Sequence, residues 1–137
     1  MASSFLIGKE MAAQTISKTS SSIISKLGNL YGTNYESIFT ELDIKFKIDI
    51  VNSYISKIDT NSLRLTCDAV SKCIEYIKDI LIEIEGDMNK LQKLLDQNYN
   101  KWFGNSYSNN SSEIINDIRI KVHILDQRFD ILLKLLG

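Results

Sequence analysis

"LRLTCDAVSKCIEYIKDILIEIEGDMNKLQKLLDQNYNKW", residues 63–102, carries the pattern that decides the fold. Its apolar side chains fall at Leu63, Cys67, Val70, Ile74, Ile77, Leu81, Ile84, Met88, Leu91, Leu95 and Trp102. The gaps alternate four and three, and polar Asn98 fills the one remaining place in register. A helix turning once per 3.6 residues gathers such positions on one stripe, whereas a strand needs a period of two. The seam therefore predicts one long central helix over about 62–102, roughly 60 Å long at 1.5 Å per residue. Leu65, Ala69, Cys73, Tyr76 and Ile80 widen the stripe along its first half. A stripe wider than two positions in seven suits a bundle rather than a lone coiled coil. Asp68 and Lys72 stand at the favourable i, i+4 spacing on the outer face. Gly86 is the weak point, costing about 1 kcal/mol relative to Ala.

Downstream, Ile115, Ile118, Val122, Leu125, Phe129, Leu132 and Leu136 repeat the pattern and predict a C-terminal antiparallel helix over about 112–136. Asn110 or Ser111 would cap it, with Glu113 in its first turn. "GNSYSNNSS" (104–112) reads as the polar turn of an antiparallel hairpin. Upstream, "TNYE" (33–36) matches a capping box that opens a helix over about 34–58, and the glycines of "GNLYG" (28–32) end the helix before it. The first segment, 4–30, brings Phe5, Ala12, Ile16, Ile23, Leu27 and Leu30 near one face, although "SKTSSS" (17–22) is a poor helix former. The chain has no Pro to force a kink.

Two stretches compete with this reading. "LDIKFKIDIV" (42–51) and "DIRIKVHIL" (117–125) alternate apolar and polar residues as half-buried strands do. An isolated two-stranded ribbon is marginal, and each stretch sits inside a longer helix-compatible segment. The expected fold is thus all-α, a bundle of three or four helices forming a single domain over 1–137. An α+β fold with 42–51 and 117–125 paired is the alternative.

Composition limits function. The chain has 137 residues, 44% hydrophobic and 24% charged, with 16 basic against 17 acidic side chains and a net charge of −1. Such a chain is long enough to bury a core without disulfides or metal. Its three arginines, Arg64, Arg119 and Arg128, form no basic stripe, so no nucleic-acid partner is expected. No apolar run approaches the roughly 20 residues of a membrane span, and the start lacks the features of a secretory signal. Cys67 and Cys73, six apart on one helix, would be separated by about 9 Å along its axis, too far to pair. Free thiols suit the cytoplasm, or a particle assembled in it. Ile (21) and Asn (11) are abundant, as AT-rich codons produce, which suggests a large DNA virus, a protist or a low-GC bacterium.

No catalytic constellation stands out. His123, the sole histidine, joins Arg119, Asp126 and Asp130 on a polar face without a nearby metal-ligand partner. Cys67 and Cys73 belong to the apolar stripe, where a thiol is inert. Glu83, Glu85 and Asp87 read as a solvated face. No phosphate loop, dinucleotide fingerprint or nucleophile elbow is present. Neither an enzymatic activity, a cofactor, a metal nor a small-molecule substrate is expected.

The remaining candidates are aromatic. Tyr99, Trp102, Phe103 and Tyr107 cluster beside the turn and are the candidate partner contacts. Trp102 keeps heptad register and so closes the core at that end of the bundle. Trp102-Phe103-Gly104, between two long helices, resembles the secreted helical-hairpin proteins of bacterial type VII secretion. The resemblance covers residues 60–137 and implies a turn Trp that packs a four-helix dimer. The ending "DILLKLLG" lacks that family's tyrosine-plus-acid export pattern. The functional expectation is a helical interaction or assembly protein, self-associating or docking on a larger complex such as a particle. A second is a membrane-active bundle whose N-terminal helix, 1–32, detaches or swaps and lies in a membrane interface.

Overall fold

The computed structural model describes the backbone of residues 2–30, 32–33, 35–58, 68–100 and 108–137, and the side chains of 11–30, 32–33, 35–58, 68–96 and 111–137. Among them there are five helices and no strand: α1 (Ala2–Asn29), α2 (Glu36–Leu42), α3 (Ile44–Ser56), α4 (Asp68–Asn100) and α5 (Ser108–Leu136). Neither stretch with strand-like alternation is a strand: 42–51 runs from the end of α2 through Asp43 into α3, and 117–125 lies in α5.

Helix α4 organises the bundle. Val70, Ile74, Ile77, Leu81, Ile84, Met88 and Leu91 are all buried, and Leu95 is half-buried, as the heptad count requires. Leu63, Cys67 and Trp102 lie outside the described residues, as does the side chain of Asn98. The stripe widens on one flank only: Cys73 and Ile80 are buried, whereas Ala69 and Tyr76 are exposed. That flank meets α5, which runs antiparallel, so Arg128 reaches Tyr76 while Lys121 reaches Asp87. The opposite flank meets α1, where Lys26 Nζ stands 4.0 Å from Glu85 Oε2. Helix α3 packs on α1 and more lightly on α5, and all four long helices feed one core.

Local propensity yields to burial in α1. The helix runs without a break through "SKTSSS", and Thr19 and Ser20 are buried between Ile16 and Ile23. Ala12, Ile16, Ile23 and Leu30 join the common core, so any engagement of a membrane by this face would first have to empty that core.

The segment 34–58 is two helices rather than one. Asp43 adopts a left-handed conformation (φ 53°, ψ 39°), its N–H donating to the Thr40 carbonyl while its own carbonyl accepts from Lys47 N–H. The break redirects the chain so that Phe39 of α2 and Ile44 and Ile48 of α3 all reach the core. An L residue with a bulky Cβ is strained there. Asp43→Val is therefore expected to cost about 1–2 kcal/mol in urea unfolding, while Asp43→Gly is neutral or stabilising.

The expected capping box does not form: α2 starts at Glu36, and its N-cap, Tyr35, makes no side-chain cap hydrogen bond. Thr33 N–H is already taken by the Leu30 carbonyl, so the Glu36 carboxylate accepts instead from Gly32 N–H at 3.0 Å. Thr33 Oγ1 in turn accepts from Tyr35 N–H at 3.3 Å. Gly32 has φ +81°, the left-handed geometry that terminates the preceding turn. At the other end of the chain, α5 begins at Ser108, four residues ahead of the expected start. Asn110 and Ser111 thus lie inside the first turn rather than capping it, and Glu113 falls beyond that turn. Ser and Asn are tolerated at a helix start, where the first amides have no intrahelical partner in any case.

Gly86 remains the weak point of α4. A Cβ built there meets no atom within 4 Å, so neither close packing nor backbone strain requires glycine. Gly86→Ala is expected to stabilise the chain by about 0.5–1 kcal/mol, chiefly by restricting the unfolded state. Thermal unfolding should show this as a rise of roughly 2–4 °C in Tm.

Candidate functional site

The four aromatic candidates of the sequence, Tyr99, Trp102, Phe103 and Tyr107, all lie outside the described side chains; Tyr99 belongs to α4 by its backbone alone. Among the described residues the exposed apolar surface lies mostly on α3 and α5, and part of it follows from the alternation that mimicked strands. A helix cannot face every second residue inward. In α3, Ile44, Ile48, Val51 and Ile55 take the core, which turns Phe46 (61% exposed), Ile50 and Tyr54 outward. In α5, Ile118, Val122, Leu125 and Leu132 take the core, which leaves Ile120 (52%), Ile131 (52%) and Leu135 (42%) in solvent. The same every-other-residue pattern thus yields two amphipathic helices, each with a second apolar face.

The two helices are joined at their margin. Lys47 Nζ lies 3.0 Å from Asp126 Oδ2, and the Tyr54 ring meets Phe129 edge-on at 5.6 Å. His123 and Arg119 are exposed on α5, on the polar side the helical reading assigned them.

Between α4 and α5 lie the polar contacts that set their register. Asp87 is 3% exposed, and its Oδ2 accepts from Lys121 Nζ at 2.6 Å, with Lys90 Nζ at 3.8 Å from the other oxygen. The expected solvated face of Glu83, Glu85 and Asp87 is therefore wrong for Asp87. Its signal was in the sequence: Cys73, Ile80 and Asp87 are seven apart, so the carboxylate occupies the same row as two buried side chains. Further along, Arg128 donates to the Tyr76 carbonyl at 2.6 Å, and its guanidinium carbon sits 5.6 Å from the Tyr76 ring centre. The Cys73 thiol donates to the Arg128 carbonyl at 3.3 Å. Burial pushes this thiol above its usual pKa, opposed by the nearby Arg128 charge, and a protonated, buried thiol is a poor nucleophile.

One open cleft, about 310 Å³, lies between the end of α1 and the α2–α3 break, with Ile24, Leu27, Phe39 and Ile44 in its wall and Glu36, Asp43 and Lys45 among its lining residues. Glu36 is already engaged with Gly32 N–H.

The chain is similar to a viral protein. It aligns with the uncharacterized protein L717 of Acanthamoeba polyphaga mimivirus, 24% identical over 150 residues, across 90% of this chain and 72% of the relative. No family model matches the chain, and no solved structure matches it.

Among the described residues, no group of three or more His, Cys, Asp or Glu side chains gathers to hold a metal, and no helix is long and apolar enough to cross a membrane. The described arrangement is chiefly one of packing: interhelical ion pairs inside, and aliphatic side chains on the outer faces of α3 and α5.

Proposed function

We propose that the chain is a non-enzymatic helical interaction protein, which self-associates or docks on a larger complex through its helix faces. It would act in the cytoplasm or in a particle assembled there. The observation that carries this reading is the second apolar face of α5, where Ile120, Ile131 and Leu135 stand in solvent on a helix whose other face packs into the core. Aliphatic side chains repeated along one helix face are what a partner helix covers. The Ile- and Asn-rich composition and the likeness to a mimivirus protein both support a viral setting, in which a small structural component of a particle has a natural place.

Light scattering on the purified chain, together with affinity capture from the cells that make it, tests the reading. Self-association or a reproducible protein partner is expected. A strict monomer that retains no partner overturns it.

A further inference from the structure

The outer face of α5 has a symmetry of its own. Ile124 and Ile131 stand three and a half residues either side of the midpoint between Gln127 and Arg128, and Ile120 and Leu135 stand seven and a half either side. At 3.6 residues per turn these four positions share a strip about 60° wide and roughly 22 Å long. Ile120, Ile131 and Leu135 are exposed and Ile124 is half-buried. A strip that reads the same from either end is self-complementary to an antiparallel copy of itself, as a two-fold interface requires.

We propose that α5 pairs antiparallel with α5 of a second copy of this chain, about a two-fold axis between Gln127 and Arg128. This rests on the reading of the chain as an interaction protein and names its partner. Ile120 then meets Leu135 of the other copy, and Ile124 meets Ile131, each contact occurring twice. The Tyr76 ring, exposed and capped by Arg128, lies beside the axis, where tyrosine and arginine contribute most to an interface.

Charge is complementary in the same orientation. The first half of the exposed face carries Glu113 and Asp117, and the last turn carries Lys134. Antiparallel pairing brings Lys134 to about one turn from Asp117 on the other copy. Lys134 now pairs at 3.0 Å with Asp130, an exposed contact worth little and readily exchanged. Lys121, the residue directly opposite Lys134, is held by Asp87 and so does not oppose the approach as a free charge. Four aliphatic side chains per copy place the interface at the small end, under roughly 1,200 Å² in total, among weak and reversible contacts.

Sedimentation equilibrium on the full chain, from low to high micromolar concentration, tests this. The mass should rise toward twice the monomer value. Ile131→Lys, at a position open enough to leave the helical circular dichroism unchanged, should hold the chain monomeric throughout. Phe46→Lys, on the exposed face of α3, should dimerise as the parent does. Asp117→Lys and Lys134→Glu should each weaken the dimer about fivefold, and the two together should restore it. A dimer that survives Ile131→Lys, or one lost with Phe46→Lys, overturns the proposal. A monomer that binds a different protein overturns it while leaving the broader reading standing, and a monomer that binds nothing overturns both.

Discussion

Lys121→Met is expected to lower the free energy of unfolding by about 3 kcal/mol, toward the lower end of what breaking a buried ion pair costs. The reason is the carboxylate left behind. Asp87 is almost wholly buried between α4 and α5, and among the described residues Lys121 Nζ, at 2.6 Å, is its closest cation. Lys90, at 3.8 Å and largely exposed, offsets a part of the loss and sets the estimate low in the range. The double variant Asp87→Leu/Lys121→Met removes both charges and fills the space with apolar atoms. It should return to within about 1 kcal/mol of the parent, or exceed it. Urea unfolding of the four proteins in this cycle measures the coupling. If the single and double variants are equally destabilised, the buried charge is not the cause.

Leu81→Ala should cost more still, about 3–5 kcal/mol. Leu81 is 0% exposed at the middle of the seam, where α4 is enclosed by its neighbours and the cavity has little scope to collapse. Against a total stability of about 5–15 kcal/mol, such a loss is a large share of what holds the bundle together. Its neighbour Ile82 is 43% exposed, and Ile82→Ala should stay within about 0.5 kcal/mol of the parent. Two adjacent aliphatic truncations on one helix thus separate by severalfold. Comparable losses at both positions would mean that α4 is not oriented as described.

The helical class and the inward faces were legible because their cause is local. From Val70 to Leu91 every seam position is buried, and the α5 positions from Ile115 to Leu136 are buried or, at Phe129, half-buried. Boundaries were less legible. The start of α5 at Ser108 and the break at Asp43 depend on where the chain must turn to return to the core, which neither Ser-Asn composition nor the heptad count encodes. The strand-like alternation of 42–51 and 117–125 did not outweigh the helical reading, yet it marked something real, since Phe46, Ile50 and Ile120, out of phase with the core, stand exposed on α3 and α5.

By itself, then, the sequence determined that this protein is a helical bundle and which stripe of each long helix turns inward, because a 3.6-residue period is a property of neighbouring residues. Only the tertiary structure decided that Lys121 is the partner of Asp87, that Arg128 crosses to Tyr76, and that Ile120, Ile131 and Leu135 on the outer strip of α5 stand exposed. Burial of a flank, the partner of a charge and the exposure of a second face all depend on which helix lies alongside, and that is set by packing between segments far apart in the chain.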